Sequence, residues 1–473
     1  MNNAKHSTQL SYLGYAYFVF LGLLATYFYL ERSTMTDAAY QIFSIIITED
    51  YAIQVNRFGA VFTQTFPLLA LKFQLPLQQI LLCYSLAFIL YPLLLYWILQ
   101  RWARQDNWAI SIPLFAVLMV SHTFYWIQSE LIQGCFFLLF YFACLNQKSA
   151  LRSSSIPFYL TGLIIILFFH PLMFIPLLYL WLFGLHSSLK TNRIYWSIPL
   201  VMALILILKH WILPANVYDL AAISHSQKLF DEWWDFFSFI STKRFLVSCL
   251  KAYYLFTLLF LVLVYYYAAS RQFTKGILLI GFSFAYIFLV NSTFRWGLPK
   301  FHMESFNQIL AIFVLVPFLL DLFPKFSPKT KVLFLTVVLV IRLVHIYSQH
   351  SDYSKRLAWN QTVLQNSQQL QKQKFLLPEN VTPMDLLQIT WASPYETLLL
   401  STLSGPDSCK SIFIFNPDIH PVEKWLPANN SLVTPFGPIP LESLPTQYFH
   451  FESNSAYEDF PQYLMPGTSN DTE

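Results

Sequence analysis

Charge is what this chain most lacks: Asp, Glu, Lys and Arg make up 11% of its 473 residues, against 56% hydrophobic, and the mean hydropathy is +0.48. Soluble globular domains carry about 25% charged residues, so that class is excluded and a helical protein crossing a membrane several times is left. Blocks of Lys or Arg are absent and the formal charge is only +4, which sets aside nucleic acid and a polybasic lipid switch. Cysteine is sparse. Of five, Cys83, Cys135, Cys144 and Cys249 sit inside apolar runs and only Cys409 outside them, giving neither a disulfide framework nor metal-ligand spacing. No small-residue cleavage site follows the first apolar run, so that run is expected to stay as a span. There is no internal repeat.

Long apolar runs are what the chain does have. Spans are expected at 12–30, 77–99, 108–125, 130–146, 156–169, 171–187, 194–212, 246–269, 276–292, 306–323 and 332–348, eleven in all. The pattern of Lys and Arg supports that count, because Lys5, Arg101 and Arg104, Lys148 and Arg152, Lys190 and Arg193, Arg271 and Lys275, and Lys325, Lys329 and Lys331 all fall on one side. By the positive-inside rule that side is cytoplasmic. The N-terminus is then cytoplasmic, and with an odd number of spans the tail is extracytoplasmic.

Residues 1–348 therefore read as a polytopic domain and 349–473 as a small outer α/β domain, rich in Gln, Asn, Ser and Pro. In it a polar helix is expected over 352–374, strands at 386–391 and 410–415, and a helix at 394–403. Asn360, Asn380, Asn429 and Asn470 each open an Asn-x-Ser/Thr triplet, which matters only in a eukaryotic secretory host.

Ionisable residues collect on the outer side, while the mid-depth of the expected spans is nearly free of charge. Proton relays and ion-coupled carriers usually need charge there. In the first outer loop, 31–76, Asp37, Gln41, Ser44 and Thr48 align on one helical face and Ala39, Ile42, Phe43 and Ile46 on another. An amphipathic helix lying in the membrane interface is expected, with Thr36 as its cap and Asp37 in its first turn. Glu49, Asp50 and Arg57 follow it. Further outer groups are His122 and Glu130 around one tip, His170 at the next, Asp219, His225, Lys228 and Asp231 to Asp235 in a longer loop, and the cluster Arg295, Lys300, His302 and Glu304.

This layout, with Thr36-Asp37-Ala38-Ala39-Tyr40 just past the first span, resembles the GT-C superfamily of polyprenyl-phosphate-sugar-dependent glycosyltransferases. Members commonly carry Asp-Glu and a nearby Tyr here; this chain keeps Asp37 and Tyr40 and has Ala38 in place of the Glu. The resemblance implies transfer of a sugar from a polyprenyl-phosphate carrier to an outer acceptor, which could be a glycan, a lipid or a protein. It makes Asp37 the catalytic base. Arg57, Arg295, Lys300 and His302 become groups for the donor phosphate, with His122, Glu130 and His170 lining the substrate site. A divalent metal ion, if used, would fall to the adjacent pair Glu49-Asp50. Trp233-Trp234-Asp235 is similar to an oligosaccharyltransferase signature but lacks the Tyr-Gly that should follow.

Each residue also has a plainer reading. Asp37 can stabilise a helix N-terminus, Glu49 and Asp50 can be a solvated helix end, and Arg57 can pair with either to fix the loop. His122, Glu130 and His170 can mark where helices meet headgroups, Arg295 and Lys300 can hold lipid phosphate without specificity, and the Trp and Tyr residues can form an interfacial belt. A carrier and a non-catalytic subunit of a glycan-assembly machine are alternatives to an enzyme.

Overall fold

The computed structural model describes residues 2–103, 106–146, 156–186, 193–213, 220, 233–416, 430–452 and 456–466. The chain is mostly helical. In order, its helices are α1 (Asn2–Tyr27), α2 (Tyr29–Ser33), α3 (Thr36–Thr48), α4 (Val61–Lys72), α5 (Leu77–Ile98), α6 (Ser111–Leu118), α7 (Glu130–Leu145), α8 (Ile156–Phe169), α9 (Phe174–Gly184), α10 (Arg193–Ile212), α11 (Ile240–Lys251), α12 (Tyr254–Ala269), α13 (Phe273–Thr293), α14 (Lys300–Asn307), α15 (Ile309–Pro317), α16 (Pro328–Ser348), α17 (His350–Ser367) and α18 (Ser393–Ser401). Short single turns between them go unlabelled.

Among the described residues, six helices are long and apolar enough to cross a membrane: Gln9–Tyr27, Leu77–Arg101, Tyr195–Ile212, Phe273–Thr293, Lys300–Lys325 and Pro328–Ser367. Such a set fits a multi-pass membrane protein. Eleven spans is more than helix length alone supports. Glu130–Leu145, Ile156–Phe169 and Pro171–Gly184 are apolar but shorter, and 14 residues rise only about 21 Å against roughly 30 Å of hydrocarbon. The span expected at 108–125 is helical only as far as Leu118, in a turn at Asp106–Ala109 and the eight residues of α6. It ends early because Arg342, fully buried on α16, takes its terminal carbonyls: Nε donates to Val117 O at 2.9 Å and Nη2 to Val120 O, while Nη1 donates to Ala252 O at 2.7 Å. The span expected at 246–269 is broken, since the segment ending in α11 meets α12 at 88°. Lys251 closes α11 with its side chain exposed, and Ala252 N–H turns back to Ser248 O at 2.8 Å.

The tail folds around a parallel three-stranded sheet, order β2-β1-β5, with β1 at Lys374–Pro378, β2 at Ser411–Phe415 and β5 at Tyr457–Asp459. An antiparallel hairpin of β3 (Ser431–Thr434) and β4 (Gly437–Pro440) accompanies it. The strand expected at 410–415 and the helix expected at 394–403 match β2 and α18. The polar helix stops at Ser367 instead of 374, releasing β1, and Leu386–Trp391 is a helical turn running into a bend at Gln388 instead of a strand. Helix α18 bridges β1 and β2 and completes the edge of β2, with Thr397 Oγ1 and Ser393 Oγ accepting from Ile412 N–H and Ile414 N–H at 2.9 and 2.8 Å.

Helix α3 does not lie open on a membrane surface. Its Ala38, Ala39, Ile42, Phe43, Ile45 and Ile46 share one core with Leu77, Leu81 and Tyr84 of α5 and with Tyr395, Leu398, Leu399 and Phe449 of the tail. Even Gln41, on the expected polar face, is buried, its Oε1 accepting from the Tyr84 hydroxyl. The apolar residues wrap more than one side of the helix, so the tail covers what the bundle leaves.

Candidate functional site

Asp37 stands at the head of α3 on a backbone that its predecessor forces into place. Thr36 has φ of +43°, a left-handed conformation that β-branched residues avoid. It therefore does not cap the helix: Met35 holds that position and no side chain closes it. Two contacts hold the conformation. Thr36 N–H donates to Glu396 Oε1 at 2.7 Å, and Thr36 Oγ1 accepts from Trp126 Nε1 at 3.1 Å. Glu396, 1% exposed on α18, is itself gripped by Arg356 Nη2 at 2.6 and 2.8 Å and by Asn360 Nδ2 at 3.1 Å. Asn360, first of the Asn-x-Ser/Thr triplets, is thus an internal ligand of a carboxylate.

The Asp37 carboxylate is half-buried and asymmetric. Its Oδ2 accepts from Trp126 Nε1 at 3.1 Å and from Thr36 Oγ1 at 3.4 Å, and His302 Nε2 lies 3.8 Å away. Among the described residues, Oδ1 has no hydrogen-bond donor. Trp126 and His302 meet edge to face, with ring centroids 4.6 Å apart at 64°. Trp126 is thus a buried part of the site, where its residue type alone suggested an interfacial belt.

Arg57 and Glu130 form the next link. Arg57 Nη1 lies 3.6 Å from Glu130 Oε2, and Gln128 Nε2 donates to Glu130 Oε1 at 2.8 Å. The plainer pairing of Arg57 with Glu49 or Asp50 does not form. Asp37 and Arg57 both act electrostatically on Glu130, and Arg57 does so on His170. Burial first, then the Arg57 and Lys209 charges, push the His170 imidazole well below its usual range. Its Nδ1 accepts from Leu172 N–H at 3.1 Å, so the neutral ring presents Nε2–H as a donor. Gly59 brings this loop in: a Cβ there would sit 1.9 Å from Phe169 Cδ1.

Three expected groups part company with Asp37. Helix α14 puts Lys300, Met303, Glu304 and Asn307 on one face, lining a cleft of about 1150 Å³, and His302 on the opposite face. His122 lines that cleft too. Lys300 pairs with exposed Asp352 at 3.4 Å. Glu304 is structural, accepting from the N–H groups of Ser121, His122 and Thr123 at 2.6, 3.2 and 2.8 Å and from Thr123 Oγ1 at 2.6 Å. Arg295 rests over the Phe239 ring, 5.7 Å from its centroid.

Glu49 and Asp50 do not fit a metal centre with Asp37. They follow the far end of α3, about 18 Å along the axis at 1.5 Å per residue, and Asp50 Oδ1 accepts from Tyr51 N–H at 2.7 Å. Among the described residues no group of three or more His, Cys, Asp or Glu is placed to hold a metal ion. Trp233-Trp234-Asp235 forms a surface turn. Asp219, His225, Lys228, Asp231 and Glu232 lie outside the described residues, as do Arg104, Lys148, Arg152, Lys190, Asn429 and Asn470.

Compared with protein-family models, with curated proteins and with solved structures, the chain matches none.

Proposed function

We propose that this chain is an integral-membrane glycosyltransferase of GT-C type, moving a sugar from a polyprenyl-phosphate carrier to an acceptor at the outer face of the membrane. What supports the reading is the Asp37 carboxylate: Oδ2 is pinned by Trp126 and Thr36 beside His302, while Oδ1 is left to take a proton. In the reaction the acceptor hydroxyl oxygen attacks the anomeric carbon, its proton passes to Oδ1, and the bond from that carbon to the phosphate oxygen breaks. The leaving lipid phosphate is met by Arg57, which Glu130 orients, and by the His170 Nε2–H. Fixed donors in a partly dry site stabilise developing charge more than water does. Arg295, Lys300 and His122 have no part in this step.

The same reading completes the membrane layout. α6 with its following turn, α7, α8, α9 and the α11–α12 pair join the six longer helices as eleven passes, the shorter ones lying within the bundle. The N-terminus is then cytoplasmic, and the tail, with Glu396 and Arg356, is extracytoplasmic over the site.

The test is transfer of radiolabel from a panel of hexosyl and pentosyl polyprenyl phosphates by the purified chain. Loss of a general base ordinarily costs about 10²–10⁴-fold, so Asp37→Asn should abolish measurable transfer with its melting temperature unchanged. Full activity in that variant ends the assignment, and a wild-type chain inert toward every donor ends the enzyme reading.

A further inference from the structure

The cleft of about 1150 Å³ across α14 from Asp37 is bounded on its other side by α11. That helix sorts its residues into three sectors. Ser241, Thr242 and Phe245 are buried; Leu246 and Leu250 are 50% and 77% exposed; Lys243, Arg244 and Lys251 point their charges into the cleft. α11 meets α12 at 88°, the angle expected where an interfacial helix joins one that crosses the bilayer. Phe237, in the turn before α11, is exposed as well. Cations and lipid-facing side chains are thus neighbours on one short helix.

These cations are not committed elsewhere. Among the described residues, Lys243, Arg244 and Lys251 have no ion-pair partner. The acids that line the cleft offer little to them, since Glu304 is filled by its four donors and Asp352 is engaged by Lys300, leaving Asp385. The loop at Gly297, whose φ is +81°, comes close to Arg244: a Cβ there would lie 2.9 Å from Arg244 Nη1. A cavity of this size exceeds the roughly 300–1,000 Å³ of ordinary ligand pockets.

We propose that this cleft binds the phosphate ester of an anionic phospholipid, the phosphate on Lys243, Arg244 and Lys251 and the acyl chains along Leu246 and Leu250. The site is separate from the Asp37 cluster and does not rest on the transferase reading. Each Lys or Arg near an anionic surface adds to its attraction, so loss of all three should weaken binding by ten-fold or more.

The experiment uses the full chain in a neutral maltoside detergent and fluorescent phosphatidylglycerol or phosphatidylcholine. The wild type should bind the first saturably and the second weakly. Lys243→Gln/Arg244→Gln/Lys251→Gln should lose at least ten-fold in affinity, whereas Lys325→Gln/Lys329→Gln/Lys331→Gln, which removes as many charges elsewhere, should not. If the first variant melts early, Lys243→Arg/Lys251→Arg and Lys243→Met/Lys251→Met give the same comparison, the Arg pair retaining binding and the Met pair losing it. Equal binding of both lipids, or equal binding by the charge-removed and wild-type chains, overturns the proposal. Displacement by millimolar inorganic phosphate overturns the lipid as ligand and assigns the cations to a soluble phosphate; absence of displacement supports the lipid.

Discussion

Thr36 carries more of the site than its residue type announces. A β-branched residue at φ of +43° stores strain on the order of 1–3 kcal/mol, offset here by Glu396 and Trp126. Glycine has no such strain, so Thr36→Gly should melt at or above the wild-type temperature even though a buried hydroxyl is lost. On the proposed transferase reading its activity should nevertheless fall about ten-fold, because a misaimed catalytic group is costly; a large drop in melting temperature with wild-type turnover would sink this account. The Asp37 carboxylate was legible as an acid just past an apolar run, with a polar residue and Tyr40 around it. Its holder was not: Glu396 lies 360 residues from Thr36, and nothing local to either marks the pairing. Lys300 and His302 looked equivalent in the sequence, yet two positions on a helix turn them to opposite faces.

At the level of elements, one buried cation accounts for where two helices stop. Arg342 sits in an otherwise apolar helix, where hydropathy alone reads it as an interruption. It instead serves carbonyls of α6, the turn after it, and the α11–α12 joint. Unpaired carbonyls away from water cost several kcal/mol each in hydrocarbon, so Arg342→Leu should destabilise the chain by about 3 kcal/mol or more. Thermal unfolding in detergent measures it, and an unchanged midpoint would show that the carbonyls find other donors. Long apolar runs were read correctly as helices, because their composition admits little else. Their breaks were missed, since the bend at Ala252 depends on Arg342, about ninety residues on. In the tail, β2 and α18 were visible in local pattern, whereas β1, just past the expected polar helix, was not read, and its parallel pairing with β5 has no local signature.

For the molecule as a whole, sidedness is the matter on which function turns. Pro328–Ser367 is a helical rod of 40 residues, about 60 Å at 1.5 Å per residue, twice the hydrocarbon thickness. Single cysteines placed at Lys329 and at Asp352 in a cysteine-free chain should therefore react with an impermeant maleimide from opposite sides, Asp352 from the outside. Labelling of both from one side would remove the membrane layout and the site's access to an outer acceptor. The same rod carries Arg356 beyond the bundle and so joins the strand layer to residue 36. An antibody fragment that tilts that layer by an ångström or two would act as a brake on the interior without entering it, and crystallisation chaperones raised against the tail should be screened for that effect before any liganded state is interpreted.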